Sequence, residues 1–258
     1  NSPRFGAPHP VLYRTAIEQA AWADKLGFTQ VFLAEHHGAE HGYCPSSMVQ
    51  AASIFAVTQK IHVHLSALVV TMHDPLRLAE DLAVLDNLSN GRIWLTAGMG
   101  YRPHEFEMFG KDITKRLGLM NKALDTLKQA WSGQPFEYEG RMVRVTPPGV
   151  QPGGPKIYMG GSTDKSALRA AKGGYQYFPG HPGLWDLYAD ERATFDSARY
   201  RRRAATHTKV ENRLPWIGIR PHHVAHQRER FLRGIAEKLF GAVIDNRYIS
   251  PNILRGNS

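Results

Sequence analysis

The chain has 258 residues, 42% of them hydrophobic, a formal charge of +9 and a pI near 9.7. That length and apolar content can bury one large core and exclude a disordered chain, while no apolar run approaches the roughly 20 residues that span a bilayer. A single cysteine, Cys44, excludes an internal disulfide and predicts a reducing, cytoplasmic setting. The cationic excess lies mostly after residue 195, in Arg199, Arg201, Arg202, Arg203, Arg213, Arg220, Arg228, Arg230 and Arg233. No interleaved aromatics or nucleic-acid motif accompany it, so it reads as a solvated helix face and nucleic acid is not expected as a partner.

Residues 11–26 read as a helix, with Ile17, Ala20, Ala21 and Asp24 at related positions and Gly27 suited to the left-handed turn that follows. Strand 29–34 comes at once and delivers Ala34-Glu35-His36-His37-Gly38. A carboxylate and two imidazoles thus stand at the exit of a strand, where α/β proteins place their chemistry. Glu35, His36, His37, Glu40 and His41 are also ligand types for zinc or iron. Adjacent side chains diverge, however, and no helix carries two histidines one turn apart, so no metal is expected. Helix 46–59 leads to strand 61–70, where His62 and His64 alternate with Val63 and Leu65 before the run turns apolar on both faces, as in a buried parallel strand. These histidines, with His73 after them, read as core or pocket wall.

Asp74 is a cap for helix 75–89, Pro75 fits its first turn, and Asn90-Gly91 ends it. Strand 92–97 delivers Gly98-Met99-Gly100-Tyr101-Arg102, and helix 115–131 aligns Leu117, Met120, Leu124, Leu127 and Trp131 on one core-facing stripe. Residues 136–145 flank Gly140 and predict a small hairpin inserted between units. A Pro/Gly connector (147–155), a strand (156–159), the turn Gly160-Gly161-Ser162-Thr163 and a helix through Ala171 make one more unit. Repeated strand-loop-helix units predict a parallel sheet, closed or open. The Gly160 turn, at a helix start, lets backbone N–H groups approach an anion. Gly98-Met99-Gly100 lacks the third glycine of a dinucleotide fingerprint and runs into Pro103.

Three blocks resemble the bacterial luciferase-like flavin monooxygenase family in content, order and spacing. They are Leu33-Ala34-Glu35-His36-His37-Gly38; Asp74-Pro75-Leu76-Arg77-Leu78-Ala79-Glu80-Asp81 running on through Leu85-Asp86-Asn87-Leu88-Ser89-Asn90-Gly91-Arg92; and Gly98-Met99-Gly100-Tyr101-Arg102 with Glu105-Phe106 and Phe109-Gly110. The resemblance implies an α/β fold, a (β/α)8 TIM barrel with an inserted β-hairpin, as a single domain over residues 1–258. Its first strand and C-terminal part are expected to be incomplete in this sequence.

The same resemblance implies an enzyme that uses reduced FMN and O2 to oxygenate a small organic substrate, as a homodimer. Without a glycine fingerprint for a nicotinamide, the reduced FMN is expected from a separate flavin reductase. Hydride transfer with a deazaflavin coenzyme on the same barrel is the alternative, and a non-catalytic flavin-binding relative a third reading. Carried over by residue, His36 is the base or proton donor beside the flavin, and Glu35 its acidic neighbour on the cofactor-binding strand exit, orienting or structural. Ser66-Ala67 marks a non-proline cis peptide beneath the flavin ring. Gly98, Gly100, Tyr101, Arg102, Gly160, Gly161 and Ser162 are expected to hold the cofactor.

Light-emitting members carry an arginine on the flavin phosphate at the position of Met99 and a reactive cysteine at that of Gly98. Light emission is therefore not expected, and Arg102 is the candidate for the phosphate charge. The segments around 37–46, 101–114 and 179–195 are expected to shape the substrate pocket. Tyr43, Phe106, Phe109, Tyr177, Phe178 and Trp185 in or near them suit an apolar or aromatic substrate.

Overall fold

A computed structural model describes residues 6–206, with side chains to residue 196. Helix α1 (His9–Lys25) is followed by β1 (Gln30–Leu33), α2 (Ser47–Val57), β2 (His62–Val69), α3 (Pro75–Ser89) and β3 (Ile93–Gly98). Then come α4 (Pro103–Met108), α5 (Arg116–Ala130), the hairpin β4 (Phe136–Tyr138) and β5 (Arg141–Val143), β6 (Lys156–Gly161), α6 (Asp164–Lys172), β7 (Gln176–Pro179) and α7 (Leu184–Thr206). The periodicity finds most of these within a residue or two. It misses α4, too short to show a helical stripe, and β7, where Gln176-Tyr177-Phe178-Pro179 is too brief to alternate visibly. The segment around 179–195, expected as a pocket loop, is largely α7.

The five long strands form one sheet in the order β1-β2-β3-β6-β7, all parallel. Once the separate hairpin is set aside, that order never reverses. The chain therefore winds in one direction, as in a βα barrel, and not outward in both directions as in a doubly wound sheet. The expected eight-stranded closure is not seen within the described residues, which supply five parallel strands. The predicted hairpin is present, shorter than expected, and turns on Glu139 and Gly140, both with positive φ (50° and 74°), the geometry of a two-residue hairpin turn.

The two faces of the sheet differ in chemistry because side chains alternate along each strand. One face carries Val63, Leu65, Ile93, Leu95, Ala97 and Met159, which pack with Leu78, Leu82, Leu124 and Leu127 of the helices to form the main core. The other carries a connected aromatic set: the His64 ring lies 5.3 Å from Phe32, 5.0 Å from Tyr158 and 5.4 Å from Phe178. Asp24, near the end of α1, accepts the backbone N–H groups of Gln59, Lys60 and Ile61 at 2.6–2.9 Å and so ties that helix to the entry of β2. Burial tends to raise the Asp24 carboxyl, but these three donors prevail and hold it below its ordinary value. No described helix is long and apolar enough to cross a membrane.

Candidate active site at the strand exits

Parallel strands end on one edge of the sheet, so the segments after β1, β2, β3 and β6 share that edge. At the exit of β1, Glu35, His36 and His37 diverge. Glu35 is 2% exposed, and its Oε1 accepts the Nε2–H groups of His37 (2.8 Å) and His73 (3.0 Å). Burial pushes the Glu35 carboxyl up, yet the two imidazole donors outweigh it and hold the group below its usual range. Glu35 thereby links the exit of β1 to the segment before α3. It makes no bond to His36, so its expected orienting role falls on His37 and His73.

His36 turns the other way. Its Nδ1 lies 3.0 Å from Glu105 Oε1, and its ring meets Tyr43 edge-on at 4.9 Å and Tyr101 at 5.9 Å. The His36 side chain is 18% exposed, against 7% for His37, whose ring packs on Phe109 at 4.7 Å. Glu105 is 1% exposed; its Oε1 also accepts the backbone N–H of His37 at 3.1 Å, and its Oε2 is buried without a partner. His73 and Tyr43, expected only as pocket wall, join the cluster, and so does Glu105, to which the sequence assigns no role. The only sequence signal for Glu105 was its place in the third family-like block.

The remaining expected site residues lie on neighbouring strand exits. Ser66-Ala67 is a cis peptide in β2, where the pairing with β3 shifts register. Beside it, a Cβ on Gly98 would stand 3.0 Å from the Ala67 Cβ, so glycine there permits close approach of β2 and β3. Gly100 has φ +73°, and a Cβ on it would press Phe106 and Val69 at 3.0 and 3.1 Å. Tyr101 is 65% exposed, and Arg102 folds onto it, with Nε donating to the hydroxyl at 3.3 Å. Gly160 packs against Thr96 and Gly161 against Ser166, while Ser162 is exposed. Thr163 caps α6 reciprocally with Ser166, which engages the backbone N–H groups of both residues.

The expected aromatic pocket contracts. Phe106 is core, packed with Val69 and Met72; Tyr177 is buried; and Trp185 packs on Tyr188 in α7. Phe178 stays half-exposed, on the aromatic face of the sheet. Tyr43, Tyr101 and Phe109 are what remain around the two histidines. Among the described residues no group of three or more His, Cys, Asp or Glu side chains is placed to hold a metal ion. The arginines from Arg199 onward lie outside the described side chains.

The family profile for luciferase-like monooxygenase matches residues 4–254. The chain belongs to the luciferase-like monooxygenase family. This luciferase-like chain is 29% identical over 181 residues to protein y4vJ of Sinorhizobium fredii, covering 67% of this chain and 52% of that protein. It is 33% identical over 105 residues to the alkanal monooxygenase alpha chain of the Kryptophanaron alfredi symbiont, covering 41% and 29% of the two chains. The chain thus spans about half, or less, of the length of such curated relatives. Among solved structures, monooxygenase RslO1 from Streptomyces bottropensis superposes with a TM-score of 0.64 at 26% identity, covering 71% of this chain and 60% of that one. The oxygenating constituent of 3,6-diketocamphane monooxygenase from Pseudomonas putida, solved with FMN, shares the fold with a TM-score of 0.66 at 18% identity, covering 74% and 59%.

Proposed function

We propose that this luciferase-like chain is the oxygenating component of a two-component flavin monooxygenase, taking reduced FMN from a separate reductase and using O2 to oxygenate a small organic substrate. The observation that carries this reading is His36. Its Nδ1 is engaged by a buried carboxylate, and its other ring nitrogen is left to the aromatic-lined strand-exit edge, as a group that gives or takes a proton there requires. The residues fit a flat heteroaromatic ring: Tyr43 and Tyr101 offer aromatic faces, Gly98 and Gly100 remove side-chain bulk from the exit of β3, and the Ser66-Ala67 peptide lies on the adjoining strand.

When bound, reduced flavin supplies the electrons that activate oxygen, and the barrel positions it and excludes water. Arg102 would meet the phosphate charge, and Gly160, Gly161 and Ser162 would place backbone N–H groups near it. The family match over residues 4–254 supports reading the chain as one luciferase-like barrel domain. The lone free Cys44 supports a cytoplasmic site of action, and family membership supports a homodimer.

The deciding experiment is incubation of the purified protein with FMN and, separately, with a deazaflavin coenzyme. Absorption and bound mass are then read, and oxygen uptake is measured with a flavin reductase and a panel of small aldehydes, ketones and aromatics. Retention of FMN and substrate-dependent oxygen uptake are expected. Exclusive retention of the deazaflavin with oxygen-independent turnover would replace the oxygenase reading with hydride transfer.

A further inference from the structure

We propose that Glu105, and not the adjacent Glu35, is the positioning residue that sets the tautomer of His36; the inference rests on the reading of His36 as the proton-handling group. A neutral imidazole free in water carries its proton mostly on Nε2. In that form His36 would turn a donor toward the strand-exit edge and could accept nothing there. A carboxylate 3.0 Å from Nδ1 reverses the preference, because a carboxylate only accepts and so draws the ring N–H to itself. The Nε2 lone pair is then presented outward, ready to take a proton. Once it has done so, the imidazolium lies against a negative group whose second oxygen, Oε2, is buried with no other donor to satisfy it.

The placement of Glu105 is rigid for reasons visible in its neighbours. It sits in the first turn of α4, after Pro103, whose fixed φ suits a helix start. The next residue, Phe106, is 1% exposed and pinned between Val69 and Met72, with Gly100 providing the space for its ring. On the other side, His104 Nε2 donates to the His37 carbonyl at 3.3 Å while Glu105 accepts the His37 N–H, so α4 holds both backbone polar groups of His37. Glu35 cannot substitute, since its Oε1 is taken by His37 and His73 and its Oε2 faces Ser47 at 3.5 Å.

The test reads the imidazole nitrogens of the 15N-labelled, flavin-free protein at a pH where histidines are neutral, with His36 assigned by the signal lost in His36→Gln. Wild type is expected to show the Nδ1–H form. Glu105→Gln, whose carboxamide oxygen can accept both N–H bonds, is expected to keep it, and Glu105→Leu, with similar reach and no acceptor, to shift toward Nε2–H. A wild-type Nε2–H form would overturn the inference whether or not the Leu variant folds, as would an unchanged tautomer in folded Glu105→Leu. With reduced FMN and oxygen, Glu105→Leu should lower turnover about 10²-fold with FMN affinity held. A loss confined to FMN affinity would overturn it too. Failure of wild type to bind flavin would remove the proposed function while leaving the tautomer result standing by itself.

Discussion

His36 and His37 share a peptide bond and have opposite surroundings: one ring meets exposed tyrosines, while the other is buried against Phe109 and bonded to Glu35. Substitution should separate their roles. His36→Ala is expected to slow turnover by about 10²–10⁴ with FMN affinity little changed, measured by steady-state kinetics and flavin fluorescence. His37→Ala should instead lower stability by about 1–3 kcal/mol in urea unfolding, because it strips a donor from the buried Glu35 carboxylate. Equal kinetic losses in both, with stability unchanged in His37→Ala, would contradict that division.

A second residue-scale prediction concerns acid. Burial pushes the His64 imidazole down from 6.5 to about 4. Its bonds match the neutral ring: Nδ1 accepts from the Gln30 amide at 3.1 Å and Nε2–H donates to Thr96 at 2.8 Å. The unfolded chain therefore binds this proton before the folded one does, so stability falls as pH drops from 6.5 toward about 4 and this contribution is exhausted below that. Glu35 acts lower. Its carboxyl is held down in the fold, so its contribution is present above the ordinary carboxylate value and is lost as pH falls through the folded one. Urea midpoints for His64→Gln should show a shallower slope between pH 6.5 and 4, by up to one proton, with the steeper acid limb below retained. A slope identical to wild type across that window would refute the assignment.

At the scale of elements, β3 and β6 are joined through an unusually close fit at the site edge. A Cβ on Gly160 would stand 2.7 Å from the Thr96 Cγ2, closer than packed carbons tolerate. Gly160→Ala should therefore destabilise by about 1–3 kcal/mol. Adding Thr96→Ser, which removes that methyl and keeps the hydroxyl bonded to His64, should restore most of the loss. Purely additive effects in the double-mutant cycle would show that the clash is relieved elsewhere. Helix α3 has a simpler dependence: Asp74 Oδ1 accepts the N–H groups of Leu76 and Arg77 at 3.0 and 2.9 Å. Asp74→Ala is expected to lower the urea midpoint by the equivalent of about 1 kcal/mol, and Asp74→Ser to recover much of it.

For the whole molecule, the one-directional winding of the parallel strands leaves no switch point at which a dinucleotide crevice forms within the described residues. A chain of this kind should oxidise NADH or NADPH negligibly with FMN present, and should convert substrate in an oxygen-dependent way once a flavin reductase is added. Rapid, stoichiometric NAD(P)H-driven turnover by the protein alone would overturn the two-component reading.

The sequence by itself determined most of the strands and helices in their order, the hairpin around Gly140, the cap at Asp74 and the placing of Glu35, His36 and His37 at a strand exit, because each depends on local periodicity, turn residues or a contiguous motif. The family was legible for the same reason, as were the cis peptide at Ser66-Ala67 and the candidacy of His36. Only the tertiary structure decided how the two histidines divide, that Glu35 serves His37 and His73, that Glu105 reaches His36 from 69 residues away, and that Phe106 and Tyr177 belong to the core. Those facts depend on which way a side chain points and on what another strand exit brings to meet it. Neither is encoded in spacing along the chain, and both follow once parallel strands place their ends on a single edge.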